Sequence, residues 1–174
     1  LLNEPCYRQC GVCNGSAAVY KAAQLMSEFT EDYKIYVEDK FIVGHGDDVD
    51  YDSDGRILAY TDGSAIHTQS RVTARAGWGV FYKEGSRHNV GGKVLGPVQS
   101  SSRAELRAVL QALLVARHPT TVVSDCLYVV KTVKTILDGI NVDIDKLPGA
   151  DIWAHVYDIL VNGAADRFKI RWVP

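Results

Sequence analysis

Three carboxylates stand at positions from which they could bind divalent metal ions together. Asp62 follows a short apolar run, Glu105 lies near a Ser-rich helix start, and Asp125 follows a second apolar run. Carboxylate oxygens are the ligands that hard divalent cations such as Mg²⁺ prefer. Two such ions can activate a water molecule and stabilise the leaving oxygen of a phosphodiester. The three acids therefore indicate metal-dependent phosphodiester chemistry.

The elements predicted around these acids bring them to one edge of a sheet. If the first and fourth strands are parallel neighbours, Asp62 and Asp125 lie together at their carboxyl ends, and a helix above them offers Glu105. The predicted strands are 56–61, 78–82, 88–95, 120–124 and 168–172, and the predicted helices are 102–117, one after residue 125, and 151–161. This order predicts an α/β fold with a mixed five-stranded sheet, in which three antiparallel strands are followed by parallel additions and helices pack on the sheet.

Each acid also has a purely structural interpretation. Asp62 and Gly63 have the chemistry of a turn. Ser102 and Glu105 have the spacing of a capping box. Asp125 could be the N-cap of the helix that it precedes. The joint placement of the three acids favours a catalytic cluster over three separate structural roles.

Composition and charge narrow the class of protein. The 174 residues are 47% hydrophobic and 23% charged, which is typical of a globular domain with room for an extension. Residues 1–56 carry 5 Lys/Arg and 11 Asp/Glu, whereas residues 57–174 carry 14 and 10, so the second part suits a polyanionic partner. No apolar run approaches the roughly 18 residues of a membrane span, so we expect no membrane partner. Only four cysteines are present, and we expect an intracellular location, in cytoplasm or nucleus.

Residues 1–56 read as an N-terminal extension, or as part of an upstream domain, joined to a second domain at 57–174. The Asp-rich stretch 46–55 lacks the spacing and the terminal Glu of an EF-hand loop, so it indicates a solvated linker. Three cysteines, with a histidine such as His45, could form a zinc site, although their spacing matches no standard pattern and free thiols are the preferred interpretation. These cysteines are Cys6, Cys10 and Cys13.

A series of short motifs runs through residues 57–174. They are Thr61-Asp62-Gly63-Ser64, Gly77-Trp78-Gly79, Ser101-Ser102-Arg103-Ala104-Glu105-Leu106-Arg107-Ala108, Ser124-Asp125-Cys126-Leu127-Tyr128-Val129, Asp151-Ile152-Trp153 and Ile170-Arg171-Trp172-Val173-Pro174. In this order and at this spacing the chain resembles the type 1 ribonuclease H domain over about two thirds of its length. The resemblance implies the ribonuclease H-like fold for this part of the chain.

The resemblance also implies an activity, which is endonucleolytic hydrolysis of the RNA strand of RNA–DNA hybrids with two Mg²⁺ ions, or Mn²⁺ in their place. Asp62 would bridge both ions, Glu105 would hold one ion near the ribose 2′-hydroxyl, and Asp125 would hold the ion that activates water. Contacts with the hybrid are implied for five further residues, namely Gly63, Ser64, Ser101, Ser102 and Arg103.

The chain departs from the family pattern in ways that leave alternatives open. The family's fourth acid and mobile histidine follow the segment that ends here at Pro174, so we expect a truncated domain with weak or no activity. Domains of this kind in retroelement polyproteins suggest a reverse transcriptase domain as a partner in the parent protein. A DNA-directed nuclease or integrase is one alternative, and the Thr-Asp-Gly-Ser strand argues against it. A catalytically inactive domain, hybrid-binding or purely structural, is the other.

Overall fold

A five-stranded mixed sheet organises the chain in the computed structural model, which describes residues 42–164 and 166–174. The strand order is β3-β2-β1-β4-β5, with β1, β2 and β3 antiparallel and with β4 and β5 added in parallel to β1. The predicted fold class is therefore confirmed. The strands are β1 (Ile57–Ile66), β2 (Arg75–Phe81), β3 (Val90–Lys93), β4 (Thr120–Ser124) and β5 (Phe168–Trp172), and the helices are α1 (Ser101–Val115), α2 (Leu127–Leu137) and α3 (Ala150–Asn162), with a short 3₁₀ turn at Ile144–Lys146.

The central strands are the most deeply buried part of the sheet. All five residues of β4 are buried, as the β-branched run 120–124 predicts for a strand with neighbours on both edges. Ala59, Val122 and Ile170 occupy one row across β1, β4 and β5, and each is buried. β5 alternates between buried and exposed residues up to Ile170, because successive side chains point to opposite faces of the sheet and one of these faces is solvated.

Helix α1 packs against β1 and β2. Its face towards the core carries small residues, and Ala104, Ala108 and Ala112 are all fully buried at the four-residue spacing of one helix stripe. Helix-favouring Leu and Ala fill the interior of α1, and the helix ends at Ala116, shortly before Pro119. The short side chains let the helix approach the sheet closely, and this approach positions the candidate site.

Helices α2 and α3 complete the helical layer. Helix α3 packs on α1, and its Trp153 has no exposed surface, with its ring edge-on to Tyr128 at a centroid distance of 6.0 Å. Arg107 is fully buried between the layers, where its guanidinium lies 4.3 Å from the centre of the Trp78 ring and donates to Gln111 Oε1 at 3.2 Å. The delocalised charge of arginine makes such a contact favourable. Among the described residues, none of the helices combines the length and the hydrophobicity of a transmembrane segment.

The Asp-rich stretch packs against the sheet, and its interpretation as a solvated linker is wrong for the residues that the structure describes. Val49 is only 3% exposed and belongs to the main core. Asp52 accepts hydrogen bonds from the backbone N–H groups of Asp54 and Arg56, both at 2.9 Å, and from Thr121 Oγ1 at 2.6 Å. Burial opposes ionisation of Asp52, but these hydrogen bonds outweigh it and hold its pKa below the usual value.

Just upstream, Val43 joins the same core and forms a bridge with Ala116 at the end of α1. Residues 43 to 55 therefore lie on the domain, while a domain limit near residue 56 stays a prediction. The cysteines of the suggested zinc site lie outside the described residues. The sequence pattern also predicts a helix at about 16–29 and short strands at 34–37 and 41–43. The first two lie outside the described residues, and the third lies only partly within them.

Candidate active site

Asp62 and Asp125 are brought together by the parallel pairing of β1 with β4. The last pair of this ladder joins Thr61 to Ser124, so each acid is the next residue of its chain. Beyond that pair, β1 continues to Ile66 against β2, with Asp62 opposite Gly79, whereas β4 ends. The expectation that Asp62 ends its strand is therefore wrong, because pairing with β2 carries the strand through the Asp-Gly-Ser segment.

Glu105 is positioned by the close approach of α1 to β1. Its Oε1 accepts a hydrogen bond from the backbone N–H of Gly63 at 2.7 Å. A Cβ at Gly63 would lie 2.2 Å from the backbone nitrogen of Glu105, so only glycine permits this contact. The capping-box interpretation is wrong, because the N-cap is Ser100, whose hydroxyl accepts from the N–H of Arg103 at 3.3 Å. The Glu105 side chain is thus free of a capping role.

Asp125 occupies the turn between β4 and α2 without capping the helix. The N-cap is Cys126, and its backbone N–H donates to Ser124 Oγ at 3.1 Å. On the other side, the indole N–H of Trp172 donates to the Asp125 carbonyl at 3.0 Å. These two hydrogen bonds hold the backbone of the turn, while the Asp125 side chain is exposed.

The three carboxylates form one cluster. Asp62, Glu105 and Asp125 each offer an oxygen, and these oxygens all lie within 4.8 Å of one another. Burial, together with the negative charges of Asp125 and Asp62 and against the hydrogen bond from Gly63, raises the pKa of Glu105 to about 7. Glu105 Oε2 is buried and finds no hydrogen-bond partner among the described residues. An unsatisfied oxygen and uncompensated like charges are features that a divalent cation would relieve.

Comparison with known proteins shows the family of this chain. The RNase H family profile, described as "RNase H", matches residues 54–174. The chain belongs to the RNase H family. A protein named "Ribonuclease H" from Schizosaccharomyces pombe is 34% identical over 82 residues, which are 47% of this chain and 31% of that protein, so the chain spans about a third of this relative.

Two solved structures are similar to the chain. A foamy viral protease-reverse transcriptase in complex with dsDNA is 25% identical and gives a TM-score of 0.52, covering 67% of this chain and 80% of that one. The solution structure of the PFV RNase H domain is 21% identical with a TM-score of 0.48, covering 67% and 77%.

The residues expected to contact the hybrid are divided by the RNase H fold into three groups. Gly63 is committed to the contact with Glu105 through its backbone N–H. Ser64 on β1 and Ser101 and Ser102 at the start of α1 are exposed. Arg103 forms a bidentate ion pair with Asp151, with N–O distances of 2.8 and 2.5 Å, and thereby joins α1 to α3.

The Arg103–Asp151 pair joins the α1 and α3 sequence motifs in space. Burial by itself would raise the pKa of Asp151. The hydrogen bonds and the positive charge of Arg103 outweigh this effect and hold the pKa of Asp151 below its usual value. Arg103 therefore has a structural partner in this RNase H domain, and its contact with a hybrid stays a prediction.

Two contributors to the site were missed in the sequence. Ser100 caps α1, and it directly precedes Ser101 and Ser102 in the sequence. Only the position at which the helix starts shows that Ser100, and not Ser102, is the N-cap. Trp172 reaches Asp125 because β5 pairs with β4 in a register that sets Trp172 opposite Ser124. The alternation of residues 168–172 predicts a strand, but sequence does not give the register of that strand, so this contact had no signal.

Proposed function

We propose that this RNase H family chain hydrolyses the RNA strand of RNA–DNA hybrids at the cluster of Asp62, Glu105 and Asp125. The single observation that carries the proposal is the convergence of three carboxylate oxygens within 4.8 Å, in a chain whose family profile includes all three positions. Two of the acids are exposed and one is buried, so the cluster is open to a large substrate on one side.

The cluster suits two Mg²⁺ ions, with Mn²⁺ as a substitute. Asp62 would contribute to both ions, Glu105 to one and Asp125 to the other. Such ions supply activation of a water molecule and stabilisation of the leaving oxygen. The protein must hold the metal-binding carboxylates in fixed positions. The backbone N–H of Gly63 does this for Glu105 by donating to Oε1 at an N–O distance of 2.7 Å. Oε2 is then left for the cation, which favours the ionised form of a carboxyl whose pKa is otherwise about 7.

Selectivity for RNA would come from the ribose 2′-hydroxyl, which is the group that distinguishes RNA from DNA at the cut. Glu105 is the acid closest in sequence to the exposed serines of the α1 start, Ser101 and Ser102. Short hydroxyl side chains and backbone groups suit the wide, shallow minor groove of an A-like duplex. We assign Ser64 and these two serines to minor-groove contacts.

The parent protein would belong to a reverse-transcribing element and act inside the cell. The similarity to a foamy viral protease-reverse transcriptase supports this assignment at the level of one domain. A reverse transcriptase domain in the same polyprotein would then supply the hybrid that this domain degrades.

The decisive test is cleavage of a hybrid labelled on each strand, in Mg²⁺ and in Mn²⁺, with duplex DNA and duplex RNA as controls. We expect cleavage, weak as the sequence predicts, of the RNA strand in the hybrid and no cleavage of its DNA strand. Asp62→Asn should abolish the activity while retaining the fold. Binding of the hybrid without cleavage in either metal, together with no uptake of metal by the wild-type chain, would replace the proposal with an inactive binding module.

A further inference from the structure

A second polar site lies at the far end of the β1–β2 hairpin from the acids. Its cavity of about 530 Å³ is bordered by Arg71, Arg75 and Lys93, with the loop from Val94 to Gln99 as its other wall. We call it the cationic cleft. Its three cations are exposed, and no acidic residue of the described parts of the chain lines it. Among the described residues, the three positive charges around this cavity therefore face no acidic lining residue.

The walls of the cationic cleft are fixed by hydrogen bonds. Arg75 Nη1 donates to the carbonyls of Val72 at 3.1 Å and Ala74 at 2.7 Å, which hold the guanidinium at the cleft edge. Gln99 accepts from the backbone N–H of Ala76 at 2.7 Å and donates to the carbonyls of Val94 at 2.8 Å and Gly96 at 2.7 Å. Because these bonds connect the β3–α1 loop to β2, a ligand would meet a site that is largely preformed.

The opposite end of the β2–β3 hairpin provides a contrast within the same molecule. There, Lys83 lies 3.9 Å from Asp50, and Arg87 lies 3.0 Å from Asp48. Neither Arg71 nor Lys93 has an equivalent carboxylate partner among residues 42–164 and 166–174. Within the described part of the chain, the turn end of the β2–β3 hairpin is therefore paired with acids, whereas the other end has no such ion pair.

The cationic cleft is near the acids but separate from them. Arg75 pairs with Ile66, four residues along β1 from Asp62, which corresponds to roughly 13 Å at 3.3 Å per residue. Gln99 is followed by Ser100 and then by the exposed serines at the start of α1, the helix that carries Glu105. A duplex long enough to reach from the acids past these serines would bring a different phosphate of its backbone to the cleft.

We propose that the cationic cleft binds a backbone phosphate of the nucleic-acid duplex while the acid cluster engages the phosphodiester to be cut. This inference rests on the proposed function and extends the substrate contact beyond the reacting group. Guanidinium groups bind phosphate oxygens in a bidentate manner, and lysine adds a point charge. The contact carries no sequence information, so it fixes the position of the duplex on the protein.

The test measures hybrid binding without divalent metal, by fluorescence anisotropy over a series of salt concentrations. The variant is Arg71→Gln with Lys93→Gln, which leaves Arg75 to close the hairpin turn. The matched control is Lys83→Gln with Arg87→Gln, which removes the same charge at the opposite end of the β2–β3 hairpin. Each phosphate contact that is lost should reduce the slope of log affinity against log salt by about 1. We expect the slope to change by about 1 and the affinity at 0.1 M salt to fall by up to about 8-fold for the cleft variant, with the slope retained in the control.

Equal slopes for the wild type and the cleft variant, or equal losses in the cleft variant and the control, would overturn the inference. Inorganic phosphate, added at constant ionic strength, distinguishes a duplex contact from a small-anion site. If phosphate binds the wild type but not the cleft variant, and yet millimolar phosphate does not weaken duplex binding to the wild type, the cleft is a small-anion site and the duplex contact is rejected. Cleavage of the hybrid by the wild type is measured separately. If the cleft variant binds like the wild type, this inference fails and the proposed function stands. If the wild type does not cleave the hybrid, the proposed function fails.

Discussion

The two halves of β1 share one strand but differ in almost every physical property. Residues 57–61 pair in parallel with β4, and Ile57, Leu58 and Ala59 are all buried. Residues 62–66 extend beyond the end of β4 and pair with β2, and they alternate between half-buried and exposed positions. Asp62 is the first residue of the second half. The candidate site therefore begins where β4 stops covering β1.

This difference explains how a charged cluster can exist beside a well-packed core. Ionised carboxylates are costly to bury without a partner, and they need access to cations and substrate. The end of β4 provides that access at its edge, while the first half of β1 supplies rigidity through its neighbours. Glu105 is the exception, because it approaches from the helix layer and is buried, and its pKa is raised accordingly.

The largest effect on activity should come from Asp62→Asn, which changes the open half of β1 and leaves its buried half intact. We expect hybrid cleavage to fall by on the order of 10³-fold, since a lost metal ligand removes several kcal/mol of charge stabilisation. Thermal unfolding should change little, because the Asp62 side chain is exposed.

The matched change lies beside the buried half of β1 and is Val122→Ala on β4, at a position that pairs with Ala59 and is 1% exposed. It should lower the free energy of unfolding by about 2 kcal/mol and leave the activity of the folded protein near that of the wild type. If Asp62→Asn were to unfold the chain, or if Val122→Ala were to abolish cleavage without loss of fold, the division between the two halves would be wrong.

The second expected effect is at Gly63, where the open half of β1 contacts the helix layer. Gly63→Ala should destabilise the fold by about 3 kcal/mol, because its Cβ would lie 2.2 Å from Glu105 N and 2.5 Å from the Ala104 carbonyl carbon. Chemical denaturation measures the loss. Gly79→Ala on β2 is the control, because its nearest neighbour is Val90 O at 3.9 Å, and we expect a change below about 1 kcal/mol. Equal stabilities of the two variants would contradict the close packing of α1 on β1.

The secondary structure was predictable where a local pattern and the tertiary context agree. β4 and β5 have the predicted bounds, since a β-branched run and a clear alternation do not depend on distant residues. The end of β1 was misjudged because Asp-Gly-Ser has the composition of a turn, while its pairing with β2 is a long-range effect. The stretch 46–55 was misjudged for a similar reason, because its many Asp residues obscure the buried Val49.

The site itself was predictable in its members but not in its contacts. The three acids were selected from motif spacing, and the structure brings their oxygens together. Three contacts of the site join residues that are at least 42 positions apart in the sequence. They are the hydrogen bonds from Gly63 N–H to Glu105 and from Trp172 to Asp125, and the Arg103–Asp151 ion pair. Such contacts depend on strand register and helix placement, which residue patterns do not determine.

The third effect tests the buried acid through pH. The pKa of Glu105 is raised from 4.5 to about 7, so the folded state holds its proton over a range where the unfolded state has lost it. The stability from protonated Glu105 is fully present below pH 4.5 and is lost as the pH rises to about 7, by no more than about 3 kcal/mol.

The variant that tests this linkage is Glu105→Gln, whose amide oxygen can still accept from the N–H of Gly63. In metal-free buffer it should be more stable than the wild type at pH 8 and should lack the slope between pH 4.5 and 7. Mg²⁺ should stabilise the wild type at pH 8 by about 2.7 kcal/mol at 100 times the dissociation constant, and the variant much less. Identical pH profiles of the two proteins without metal would reject the raised pKa.

The smallest effect concerns Trp172, which supports the edge of the site from β5. Trp172→Phe keeps an aromatic ring at a position that is 43% exposed but removes the indole hydrogen bond to the Asp125 carbonyl. We expect a loss of about 1 kcal/mol in unfolding free energy, which is typical of one hydrogen bond. If Trp172 also positions Asp125, calorimetry should show weaker Mg²⁺ binding by a few-fold, and Arg171→Gln on the same strand should leave it unchanged. A loss of stability with unaltered Mg²⁺ affinity would show that Trp172 stabilises the fold and does not position Asp125. The geometry of the acid cluster would then depend on β1, α1 and the β4–α2 turn alone.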